Sequence, residues 1–313
     1  MKRTLLALLT ILFVSVASAT EEPMTLTTPT GEIHGMLMLP NSSTPCPIVL
    51  IIAGSGPTDM DGNTIGSNYK NNSLKQLAEG LAANGIASVR YDKRGIGKSI
   101  EAGTKEEDLR FEHYIDDAAA WADKLGNDSR FSKVIIAGHS EGSLIGMVAS
   151  RKSSAVKAYI SIAGCGRPAY EVIEEQLKRQ PEQVQREAVA IHKELREGRT
   201  IDDIPHYLAP LYRKSVQPYL ISWFRYNPSE EIAKLTIPVL IVQGDMDIQV
   251  TVAEAEKLRM ARLFSSYYII AGMNHVLKHC ESTDQFVQLQ SYQDPALPIV
   301  EEVIKVILRF VLQ

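Results

Sequence analysis

Net charge, cysteine, aromatic side chains and long apolar runs are all scarce in this 313-residue sequence, and each scarcity closes off a class of protein. Lys and Arg total 33 against 37 Asp and Glu, a formal −4, with no basic stripe. The electrostatic footprint that grips phosphodiester backbones is missing, which argues against a nucleic-acid partner. The three cysteines, Cys46, Cys165 and Cys280, are odd in number and widely spaced, with no pair at metal-ligand spacing. They support no structural zinc site and at most one disulfide. They read instead as small buried apolar residues, and Cys165, just beyond a strand-like run, fits that role.

The N-terminal apolar run, Leu5 to Val16, is 12 residues long. As a helix it spans only about 18 Å, short of the ~30 Å hydrocarbon core. Lys2 and Arg3 precede it and Ala17, Ser18 and Ala19 follow, so residues 1–19 read as a cleaved export signal. The expectation is an exported chain, periplasmic or secreted, with no stable membrane insertion after cleavage.

What is present is an ordinary globular composition, 45% apolar and 22% charged, with enough apolar residues for a sizeable core. A hairpin-like start, Met24 to Pro40, turns near Thr30 and Gly31. Short apolar runs then alternate with amphipathic stretches. The runs are Pro47 to Gly54, Ile86 to Asp92, Lys133 to Gly138, Val156 to Gly164, Pro238 to Gly244 and Ser266 to Gly272, each ending at Gly or Asp. Continuous apolar runs of this kind are parallel strands covered on both faces. Between or after them, helical spacing covers Ser73 to Asn84, Phe111 to Leu125, Glu141 to Arg151, Val252 to Leu263 and Ile299 to Leu312. The expected class is α/β, a doubly wound and mostly parallel sheet.

Residues 167–233 break the alternation: they hold no strand-like run and are rich in Glu, Gln, Lys and Arg. They read as a helical cap inserted into a core formed by residues 20–166 and 234–313. Trp223, Phe224 and Tyr226 concentrate aromatics there, either packing the cap onto the core or sharing in a substrate pocket.

The strongest chemical signal is Gly138-His139-Ser140-Glu141-Gly142, a G-x-S-x-G pattern between a strand and a helix. A serine at such a turn sits on strained backbone, and side chains in place of the glycines would clash with the adjoining elements. The helix N-terminus beneath it offers N–H groups to developing negative charge. Ser140 is therefore the candidate nucleophile. A hydroxyl needs a base, and the base an orienting acid.

Here the chain resembles the α/β-hydrolase superfamily, whose triad runs nucleophile, acid, histidine along the chain. The resemblance implies that fold, with an inserted cap, and an acid just past a late strand. Asp247 lies at the G-x-x-D-x-x-V spacing from Gly244 to Val250, with Asp245 as its competitor. It implies a histidine after the last strand, where His275 falls, with His279 as rival. It also implies two oxyanion N–H donors: one on Glu141, and one on Ser55 in the Gly54-Ser55-Gly56-Pro57 turn. Ala53 departs from the histidine often found there. Tyr91 to Ser99 resembles the family's D-x-R-G-x-G-x-S turn, whose role is structural. The phosphate-loop pattern fails at Asp92, and the Asp59, Asp61, Gly62, Asn63 segment fails the calcium-loop pattern, ending at Lys70 where Glu is required. Ser55 to Asn63 is expected to shape the mouth of the site.

The expected chemistry is acyl transfer to water from a small-molecule ester, with no metal or organic cofactor. The resemblance extends to bacterial carboxylesterases and serine aminopeptidase-like hydrolases. A peptidase or acyltransferase on the same triad is the alternative, and a noncatalytic binding protein the reading from another class.

Overall fold

A computed structural model describes residues 19–42 and 45–313, so the export-signal reading of 1–19 lies outside the described residues except for its last position. Eight strands form one sheet: β1 (Thr20–Thr28), β2 (Gly31–Leu39), β3 (Cys46–Ile52), β4 (Ala87–Tyr91), β5 (Phe131–His139), β6 (Val156–Ile162), β7 (Val239–Gly244) and β8 (Ser266–Ile270). Their spatial order is β1-β2-β4-β3-β5-β6-β7-β8. The hairpin β1–β2 joins β4 antiparallel, and every pairing from β4 onward is parallel.

Side chains alternate across a strand, so the apolar runs feed two cores. Ile48, Leu50 and Ile52 join Val134 and Ile136 on one face, while Val49, Ile51 and Ala53 join Ile135 and Ala137 on the other. Helices α1 (Ser73–Ala82) and, near the end of the chain, α11 (Glu301–Val311) cover the second face. The first is covered by α2 (Phe111–Gly126) and α3 (Glu141–Lys152). In α11, Val303, Val306, Ile307 and Val311 are buried, the spacing of one helical stripe.

Between β6 and β7 the chain is helical and adds no strand. It forms α4 (Ala169–Leu177), α5 (Glu182–Arg196), α6 (Ala209–Tyr212), α7 (Gln217–Trp223) and α8 (Pro228–Ala233). After β7 come α9 (Val252–Ala261) and then, beyond β8, α10 (Gln285–Ser291), for which the sequence carries no periodic signal. Among the described residues no helix is long and apolar enough to cross a membrane.

All three cysteines are free. Cys46 and Cys280 are buried, but Cys165 is half-buried and lines a cavity, which corrects the expectation that it packs in the core. The reason lies just before it: Ala163, with φ 49°, turns the chain off the end of β6 toward the mouth of the sheet.

The parallel register aligns the carboxyl ends of the central strands. Ile52 pairs with Gly138, His139 with Ile162, and Gly244 with Ile270. The loops leaving β3, β5, β7 and β8 therefore gather at one edge, where open α/β sheets place their ligands.

Candidate active site

Ser140 follows the last residue of β5 and precedes the first residue of α3, with φ 55° and ψ −121°, a conformation costing on the order of 1–3 kcal/mol for a residue with a side chain. Its N–H donates to the Ile162 carbonyl at 2.9 Å, and its carbonyl accepts from Ser143 at 3.0 Å, so the strain is held from both sides. The flanking glycines are a packing necessity. A Cβ on Gly138 would lie 2.1 Å from the Gly142 carbonyl oxygen, and one on Gly142 2.4 Å from that of Ile52.

Asp247 and His275, 28 residues apart, meet at 2.7 Å between Oδ2 and Nδ1, both buried. A carboxylate only accepts, so Nδ1 donates in this bond and Nε2 is the ring nitrogen left free of it. The carboxylate is further held by the N–H groups of Gln249 at 2.8 Å and Val250 at 2.9 Å and by Gln243 Nε2 at 3.1 Å. Asp245 has a different partner: it is exposed and accepts from the Gly272 N–H at 2.7 Å. His279 is also exposed, 3.6 Å from Glu281. Among the described residues, neither the Ser140 hydroxyl nor His275 Nε2 has a hydrogen-bond partner. The His275–Asp247 bond is formed, and no hydrogen bond joins either residue to the Ser140 hydroxyl.

Sequence position alone sets His139 aside, yet its ring stands 4.9 Å from that of His275 and its Nε2 donates to the His275 carbonyl at 2.8 Å. Burial, and next the neighbouring His275, lower the His139 pKa to about 4, so the ring is a neutral donor at pH 7. Helix α10 braces both loops: Asn274, beside His275, donates to the Ser291 hydroxyl at 2.7 Å, and Gln288 donates to the carbonyl of Met246, beside Asp247, at 2.9 Å.

The Gly54 turn lies over Ser140, since a Cβ on Gly54 would come within 3.2 Å of Ser140 Cβ. Glu141, as the first residue of α3, has an N–H with no intrahelical acceptor. The Ser55 N–H also has no acceptor among the described residues. The Glu141 side chain is buried. One carboxylate oxygen receives Lys93 Nζ at 3.0 Å, and the other receives the Tyr219 hydroxyl at 2.5 Å. Nothing in the sequence singles out Lys93. Its neighbour Asp92 accepts from the N–H groups of Met60 at 2.7 Å and Lys98 at 2.8 Å, which ties the Ser55–Asn63 loop to the turn after β4.

A cavity of about 410 Å³ opens beside Ser140, lined by Ser55, Leu144, Val172, Ile173, Tyr212, Leu220 and Trp223 among others. Of the three aromatics expected there, Trp223 alone lines it. Phe224 turns inward onto Tyr170 and His192, and Tyr226 packs on Phe111 and donates to Glu112 at 3.2 Å. Trp223 and Phe224 are adjacent at the end of α7 and point about 100° apart, while Tyr226 lies beyond the helix, where the chain has turned back onto Phe111.

Comparison with known proteins agrees with this architecture. A family model described as serine aminopeptidase, S33, matches residues 66–206. Esterase EstD of Thermotoga maritima is 30% identical over 234 residues, 72% of this chain and 52% of that protein. Est1E of Butyrivibrio proteoclasticus, solved with ferulic acid bound, superposes with a TM-score of 0.62 at 21% identity, over 92% of this chain and 99% of that one. The α/β-hydrolase GrgF from a Penicillium species gives 0.55 at 18% identity, over 94% and 100%. The chain has the α/β-hydrolase fold. Its candidate chemistry lies on loops at the carboxyl edge of the sheet. The chain spans about half the length of the EstD relative.

Proposed function

We propose that this protein is a serine esterase that cleaves small carboxylic esters through an acyl-enzyme. The observation that carries the reading is the buried 2.7 Å contact of His275 Nδ1 with Asp247, at the sheet edge that also holds Ser140 on strained backbone. In the proposed cycle Ser140 Oγ attacks the ester carbonyl while His275 Nε2 takes its proton. The N–H groups of Ser55 and Glu141 receive the oxyanion, and Asp247 stabilises the imidazolium. Collapse expels the alcohol, which takes the proton back from His275. Water, deprotonated by His275, then releases the acid from Ser140.

The cavity favours an ester over a peptide with a free amino terminus. Capture of an α-ammonium needs an unsatisfied carboxylate, and the one acid among the described residues lining this cavity, Glu141, has its two oxygens held by Lys93 and Tyr219. The two arginines there, Arg167 and Arg213, are paired with Glu254 and Glu106. The lining left for substrate is largely apolar, suited to an alkyl or aromatic acyl group.

The test compares p-nitrophenyl esters with aminoacyl anilides on purified protein, beside labelling by a fluorophosphonate probe. Preference for anilides would overturn the ester reading, and an unlabelled Ser140 would overturn catalysis altogether. We also propose that the chain is exported. The Lys2-Arg3 and Leu5–Val16 pattern supports this, and amino-terminal sequencing of the exported protein is expected to begin at Thr20.

A further inference from the structure

We infer that Lys93 is a positioning residue for the oxyanion hole, acting on both of its donors through a single buried ammonium group. The inference rests on the esterase reading and deepens it. Lys93 is 1% exposed, in the turn after β4, and its Nζ donates to the Gly54 carbonyl at 2.5 Å and to Glu141 Oε2 at 3.0 Å. Its remaining face looks onto the Tyr114 ring, 5.0 Å from the centroid.

The Gly54 carbonyl and the Ser55 N–H are opposite ends of one planar peptide group. Holding the oxygen on the ammonium fixes the direction in which the N–H points. Withdrawing electron density through the carbonyl also makes that N–H a stronger donor. The same ammonium anchors the side chain of Glu141, whose own N–H is the second donor. Tyr219, from α7, closes the other oxygen of that carboxylate. A lysine is costly to bury and persists where its donors are satisfied. Here they fall on the peptide group that carries the Ser55 N–H and on the side chain of Glu141, the two residues whose N–H groups must converge on one point. This gives Lys93 a role in the catalytic step beyond the structural one expected of its turn.

Lys93→Met keeps much of the side-chain volume and removes the charge. Expected is a fall in kcat on p-nitrophenyl butyrate of between about tenfold and a hundredfold, less than loss of a donor outright. KM should stay within about threefold, since a misaimed donor is felt mainly in the transition state. Affinity for an alkyl trifluoromethyl ketone, whose adduct places an oxyanion in the same site, should weaken by a similar factor.

Because Lys93→Met leaves a buried carboxylate unpaired, the double variant Lys93→Met/Glu141→Gln is made beside it. The amide oxygen introduced by Glu141→Gln can still accept from Tyr219, no orphan charge remains, and the same loss is expected. Circular dichroism and melting curves establish folding. A folded variant with kcat within about threefold of the parent, or with its loss confined to KM, overturns the inference while the esterase reading stands. A parent protein with no ester turnover and no fluorophosphonate adduct removes the esterase reading, and this inference with it.

Discussion

The Nε2 of His139 donates to the main-chain carbonyl of His275 across 2.8 Å, so the residue before the candidate nucleophile holds the loop of the candidate base. The bond needs a proton on Nε2, and burial keeps the ring otherwise uncharged, with its pKa lowered to about 4 from 6.5. A histidine whose pKa is depressed on folding contributes stability that is fully present above its unfolded pKa and lost as pH falls through the folded value. The window is therefore from about 6.5 down to about 4, and the size is roughly 3 kcal/mol for a shift of this extent. His139→Gln retains a donor without that titration. Melting temperatures followed from about pH 7 to about pH 4 should fall less steeply in the variant than in the parent, and parallel curves would refute the assignment.

Ser140 carries a second stability signature. Glycine at this position relieves a conformation unfavourable to any side chain at a cost on the order of 1–3 kcal/mol, offset by roughly 0.5–1 kcal/mol of extra chain entropy in the unfolded state. Ser140→Gly is expected to gain about 1 kcal/mol, a melting temperature higher by about 2 °C. Both it and Ser140→Ala should lose ester turnover by at least about a thousandfold. A variant that retains turnover would remove Ser140 from the mechanism.

The two acids after β7 should separate cleanly. Asp247→Asn replaces the acceptor of the His275 Nδ1 proton, and kcat is expected to drop by a factor on the order of 10³–10⁴. Asp245→Asn weakens one exposed bond to the Gly272 N–H and should change kcat by less than about threefold. Steady-state kinetics on a single short-chain ester decides between them, and the reverse ranking would make Asp245 the working acid.

Trp223 lines the cavity, stacked on Phe111 at 5.9 Å, whereas Tyr226 contacts Phe111 and Glu112 outside it. Trp223→Ala should shift preference across an ester series toward longer or bulkier acyl groups, with KM for the short esters rising several-fold as apolar contact is lost. Tyr226→Phe should leave the chain-length profile where it was. Equal shifts in both variants would place the acyl pocket elsewhere.

The strands were legible because burial on both faces writes an uninterrupted apolar run. The run read at Val156 to Gly164 became the strand Val156–Ile162, and the turn at Ser140 stood out because two glycines flank it for packing reasons. Helix α10, Gln-Phe-Val-Gln-Leu-Gln-Ser, escaped notice because it buries Gln288 and Ser291 and leaves Phe286 and Val287 exposed, the reverse of an amphipathic pattern. Lys93 escaped for a related reason: lysine in a glycine-rich turn reads as solvated until the fold supplies the Gly54 carbonyl and Glu141.

By itself the chain order of residues determined the strands and the strand-to-helix turn at Ser140, which follow from local periodicity and spacing, while Asp247 and His275 were picked out by the resemblance to α/β-hydrolases. Only the tertiary structure decided that Asp247 rather than Asp245 meets the imidazole, that Trp223 rather than Phe224 or Tyr226 lines the cavity, and that His139 and Lys93 brace the site. Each of those depends on where separate loops converge over the ends of parallel strands. A side chain's partner in a distant stretch of chain is set by packing, which no local pattern encodes.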